Sequence, residues 1–116
     1  NLRVGWGYDY NEDCDGVWFE GTAQMASAFH HSGQPAKARA LVEQLTRSCA
    51  SSGGLAAADR DELTTGFYLD SGDPWLYFNR IHIAATAWLV LADAGVNPFW
   101  PQADTLWPGI AVITGR

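Results

Sequence analysis

Apolar residues recur at helical spacing in three stretches of this chain. The spacing predicts a first helix from about Val17 to His31, introduced by Asp15 as its N-cap. A second runs from about Ala36 to Ala50, with Pro35 near its first turn, where a missing N–H does no harm. A third runs from about Tyr77 to Ala94 and stops at Gly95, ahead of Asn97-Pro98. The second is one-sided. Ala38, Leu41, Val42, Leu45 and Cys49 form its apolar stripe, and Lys37, Arg39, Glu43, Gln44 and Arg47 cover the rest. The third is apolar nearly all round from Ile81 to Ala94; His82, Thr86 and Asp93 are its only polar line. The first sets Trp18, Thr22, Met25 and Phe29 on one face, with Glu20, Gln24, Ser27 and His31 opposite. A free surface helix carries several charges, so the first and third are expected to be enclosed on most sides.

Enclosed, one-sided, enclosed is the alternation of helical hairpins in a double ring. A plain three-helix bundle would leave the apolar third helix partly in water. The expected fold class is therefore all-α. The short Ser32-Gly33-Gln34 connection makes the first two helices antiparallel, and continued alternation makes the first and third parallel. The long loops that feed those two helices then gather at one end, where function usually sits. Within them, DRDEL (residues 59–63) is expected to form one helical turn. The tail from Asn97, with three prolines, is expected to be irregular or briefly extended.

At 116 residues the chain is one segment of at most one domain. Its 13 acidic against 7 basic residues, net −6, and the lack of a basic stripe exclude nucleic acid as a partner. No apolar run is long enough to cross a bilayer, and no basic-then-apolar leader opens the chain. A start at Asn1 rather than Met reads as a processed or excised segment. Six tryptophans are more than a chain of this length usually carries. Trp18, Trp75, Trp100 and Trp107 fall at helix entrances or in loops, where flat rings suit the C–H faces of sugars or plug a core.

Three stretches, DGVWFEGTAQMA (15–26), GGLAAADRDELTTGF (53–67) and HIAATAWLVLADAGVNPF (82–99), resemble the closing segment of bacterial six-hairpin glycosidase-like proteins. The resemblance implies helical hairpins of an (α/α)6-toroid type, here incomplete, with residues 1–116 as the C-terminal part of a larger catalytic domain. It implies a carbohydrate-active, glycoside hydrolase-like segment that is inactive on its own. Its partners would be an oligo- or polysaccharide and the remainder of the toroid or a partner chain. Its place would be secreted or periplasmic. The alternative is a noncatalytic saccharide-binding or assembly module that packs against a partner chain.

Glycosidic cleavage commonly uses two carboxyl groups, one of them a proton donor. Glu20, heading the polar line of an enclosed helix beside Trp18, is the candidate general acid, against the plainer reading of a structurally paired surface residue. Asp9, Asp13, Asp70 and Asp73 are candidate partners, although Asp70-Ser71-Gly72-Asp73-Pro74 also reads as a turn. The expected sugar-binding residues are Trp18, Trp75, Tyr77, His82, Asp9 and Asp13; structural roles compete with each. No cofactor is expected and no metal site is assigned. Asn11, Asp13, Asp15 and Gly16 match the first half of a calcium loop, but Thr22 stands where its closing Glu belongs, which leaves a loop calcium as the minor reading beside solvated turn acids. Cys14 and Cys49 fall at one end of the hairpin, which suits either a disulfide or a free thiol on the apolar stripe.

Overall fold

The computed structural model describes residues 1–99; Trp100, Trp107 and the rest of the tail lie outside the described residues. The expectation of an all-α chain is corrected: three helices share the structure with two small antiparallel sheets. In order, the elements are β1 (Arg3–Val4), β2 (Gly7–Tyr8), α1 (Phe19–His31), α2 (Pro35–Arg47), β3 (Leu63–Tyr68), β4 (Pro74–Tyr77) and α3 (Ile83–Asp93).

Both helix starts differ from the sequence expectation for one reason. The residues ahead of α1 and α3 are extended because a strand-like segment, Leu55–Asp59, buried as far as Ala58, runs between them. Trp18 bridges to Ala58 and Ile81 to Ala56, both antiparallel. The Phe19 amide donates to Ala57 O and the Asp59 amide to Val17 O on one side. The Ala57 amide donates to Arg80 O and the His82 amide to Leu55 O on the other. Amides at both helix entrances are thus satisfied by chain far away in sequence, which at α1 stands in place of a side-chain cap and at α3 adds to the cap from His82. Trp18, not Asp15, is the N-cap residue of α1, and its side chain caps nothing. The Asp15 carboxylate instead accepts the Thr64 amide at 3.0 Å.

Two threonines repeat one device. Thr22 lies four residues after the N-cap Trp18, donates to its carbonyl at 2.9 Å and accepts the Tyr8 amide at 3.0 Å. Thr86 lies four after the N-cap His82, donates to its carbonyl at 2.9 Å and accepts the Leu55 amide at 2.9 Å. Each hydroxyl locks a passing strand to a first helical turn.

α1 and α3 run in the same direction. Glu20 meets His82 at their starts, and a side chain on Gly95, past the end of α3, would press on the His30 ring near the end of α1. The start of α2 (Pro35, Ala38, Val42) borders the ends of α1 at His30 and α3 at Ala92, so α2 turns back against both. Its expected stripe holds, with Ala38, Leu41, Val42 and Leu45 buried. Leu41, Val42 and Leu45 join Val17, Phe19, Ala23, Ala26, Leu55, Ala56, Ala85, Leu89 and Ala92 in one core.

α1 is enclosed along most of its length, as expected. α3 is not: Ile83 (88 %) and Val90 (63 %) face water on the same side as Ala87. Tyr77 belongs to β4 rather than to a helix. DRDEL makes no helical turn; residues 61 and 62 turn the chain and Leu63 opens β3. β3 and β4 pair Leu63 with Tyr77 and Thr64 with Leu76, then shift register before Tyr68 meets Pro74. At the shift Gly66 takes φ +75°, a left-handed value open to glycine, and the Thr65 hydroxyl donates to Trp75 O. Cys14 and Cys49 are free thiols, so no disulfide ties the hairpin.

Candidate functional site

The shared end of α1 and α3 carries a continuous array of rings. Tyr10, from the loop after β2, lies edge-on to Trp18 with centroids 4.7 Å apart and edge-on to Phe67 at 6.2 Å. Tyr77 stacks near Trp18 at 6.0 Å and 25°. It also sits 5.7 Å from Tyr10, 6.3 Å from Trp75 and 6.0 Å from the His82 ring. Local sequence builds this. The Trp18 indole folds over Gly21, where a methyl group would collide with it, so the small residue after Glu20 makes room for the ring. Strand pairing then brings β4 with Trp75 and Tyr77 beside it.

Glu20, half-buried in the first turn of α1, is joined to this array. Its Oε1 accepts from Gln24 Nε2 at 3.3 Å, and its Oε2 lies 4.0 Å from His82 Nδ1. That nitrogen also accepts the Ala85 amide at 3.4 Å, capping α3. One lone pair cannot do both jobs: unprotonated, Nδ1 caps the helix; protonated, it faces the Glu20 carboxylate. The Tyr77 phenol is pushed above its ordinary value, first by burial, then by the negative charge of Glu20 and by Tyr10.

The loop that supplies Tyr10 gathers a second group of acids. Asp9, Asp13 and Asp15 each offer a carboxylate oxygen, and the three oxygens lie within 4.8 Å of one another. Asp9 is 1 % exposed. Its Oδ1 accepts the Tyr10 amide at 2.7 Å, while its Oδ2 is buried with no donor. Burial drives its carboxyl above the ordinary carboxylate range. The Tyr10, Gly16 and Asp15 amides pull the other way, the last two without completing a hydrogen bond to Oδ2, and the Asp15 charge adds to the rise. Asp13, at the surface, is held below its ordinary value, chiefly by the Thr64 hydroxyl that donates to it.

Of the residues nominated from sequence, Glu20, Trp18, Trp75, Tyr77 and His82 come together. Asp9 and Asp13 form the separate acidic group. Asp70 and Asp73 belong to the turn between β3 and β4, where Asp73 accepts from the Ser71 hydroxyl. Tyr10, Phe67 and Gln24 were missed as members of the array; in the acidic group Asp13 and Asp15 were read together as part of a calcium-type loop, but without Asp9. Tyr10 and Phe67 sit in loop and bulge positions without periodicity. Gln24, four residues after Glu20 on the same helix face, was legible.

No family model matches this chain, and searches of curated proteins and of solved structures find no match either. Among the described residues, no helix is long and apolar enough to cross a membrane.

Proposed function

We propose that this chain is a carbohydrate-active segment whose ring array holds a saccharide, with Glu20 as the carboxyl group that works on it. One observation carries the reading: a half-buried carboxylate at the edge of a connected set of aromatic side chains, with an amide (Gln24) and an imidazole (His82) beside it. Ring faces take up the C–H faces of a pyranose, and the carboxylate, amide and imidazole match its hydroxyls. Trp75, 44 % exposed, and Phe67, 58 % exposed, are the outermost rings. As a general acid, Glu20 would protonate the leaving oxygen of a glycosidic bond.

Saccharide binding without cleavage is the second reading. Among the described residues, Glu20 is the only carboxylate joined by a hydrogen bond or ion pair to Gln24 and His82, whereas hydrolysis commonly takes two acids. On the catalytic reading the second acid comes from another chain or another part of a longer protein.

Titration with cellohexaose, xylohexaose, maltohexaose and chitohexaose, followed by tryptophan fluorescence, tests both readings. At least one should bind, and Trp75→Ala or Tyr77→Ala should weaken it about tenfold, the worth of one lost stacking contact. Glu20→Gln should keep binding and abolish any cleavage. Failure of all four sugars to perturb the fluorescence would remove the proposal.

A further inference from the structure

The three-aspartate group is a second site, independent of the sugar reading. Burying a carboxylate away from water is costly unless it is paired or bonded to a metal. Asp9 is almost wholly buried, and neither its Oδ2 nor Asp15 Oδ1 has a hydrogen-bond donor. The ion pairs among the described residues are those of the N-terminal amine with Glu12 and of His82 with Glu20, so none reaches these three carboxylates; the Arg60 guanidinium lies nearby but donates to the Asp15 backbone carbonyl at 3.0 Å. Hard oxygen donors select hard divalent cations. Calcium accepts carboxylate oxygens in flexible geometry, whereas magnesium demands a near-ideal octahedron and gives up its water reluctantly, so three loop carboxylates with oxygens within 4.8 Å of one another favour calcium.

We propose that Asp9, Asp13 and Asp15 bind a divalent cation, calcium by its tolerance of irregular oxygen coordination. Asp9 supplies its unpartnered oxygen from the protein side, and Asp13 and Asp15 close the site from the loop. The ion would clamp the loop to β3. Asp13 and Asp15 already hold Thr64 through its hydroxyl and its amide, and Asn11 Nδ2 reaches the Thr64 carbonyl at 3.4 Å. Tyr10, flanked by Asp9 and Asn11, is thereby held in the ring array.

Full-length protein is stripped with chelator and melted with added calcium chloride or magnesium chloride. At a calcium concentration about ten times its dissociation constant, the melting temperature should rise by about 5–10 °C, and by less with magnesium. Terbium should bind with luminescence sensitised by Tyr10 and Trp18, and calcium should displace it. Asp13→Asn, at an exposed position, should remove most of the calcium response, as should the isosteric Asp9→Asn. A melting temperature that calcium leaves unchanged, or a response that survives intact in both variants, would overturn the site. So would terbium luminescence that calcium fails to displace, a readout that needs no variant.

Discussion

Helices α1 and α3 start from the same buried segment, carry the same threonine device after their N-caps, and are almost equally poor in charge. Their surroundings differ. α1 is flanked by α2, α3 and the β1–β2 hairpin, and its small residues Gly21, Ala23 and Ala26 let those neighbours approach closely. α3 rests on α1 and α2 through Ala85, Leu89 and Ala92 and turns Ile83, Ala87 and Val90 to water. Low charge therefore does not report enclosure. In α1 enclosure follows from the run of small residues, whereas the apolar stripe Ile83, Ala87 and Val90 on α3 is compatible with an open face.

The sharpest way to break this comparison is at adjacent positions of α3. Leu89→Ala should destabilise by about 2–5 kcal/mol, because a buried side chain leaves a cavity, while Val90→Ala should stay within about 0.5 kcal/mol. Urea unfolding measures both, and similar losses would show that the outer face is covered in solution. The threonine pair gives the next effect. Thr22→Val removes a fully buried hydroxyl, strands the Tyr8 amide and should cost about 1–3 kcal/mol; Thr86→Val removes a half-buried hydroxyl from the Leu55 amide and should cost about 1 kcal/mol. The reverse order would place the weaker lock on α1. The smallest effect is spectroscopic. Tyr77 keeps its proton to higher pH in the folded state than in the unfolded chain. The stability this contributes is whole below the ordinary tyrosine value and is lost as pH climbs through the folded value. In an alkaline absorbance titration Tyr77 should ionise after an ordinary tyrosine, and Glu20→Gln should bring it only part of the way back, since burial is the larger cause. An unmoved titration would separate Glu20 from the array.

Helices were legible because their periodicity is local, and so was the common direction of α1 and α3. The β3–β4 hairpin was not. Its alternation is broken by the Thr65–Gly66 bulge, and Tyr77, Ile81 and His82 mimic the spacing of a helix start. Leu55–Ala58 carries no period at all, because a segment buried on every side has no polar face to alternate with. The array was legible in Trp18, Glu20, Tyr77 and His82, and illegible where a ring arrives on a loop, as with Tyr10. The acidic group was half visible. The Asn11-Asp13-Asp15 spacing signals oxygen ligands, but taking Asn11 as the first ligand turned attention downstream to Thr22. The buried member, Asp9, lies two residues upstream, and its burial depends on tertiary packing.

The Leu55–Asp59 segment has a kinetic consequence. Its contacts close loops of 42 residues, from Val17 to Asp59, and of 31, from Leu55 to Thr86. Neither helix entrance can be completed until the middle of the chain has been threaded between them, and each closure costs entropy before its hydrogen bonds return anything. Both helix entrances therefore depend on one short, nearly featureless stretch of leucine and alanine, and the rim that gathers Glu20 and His82 is expected to form after the local helical turns, once these long loops have closed.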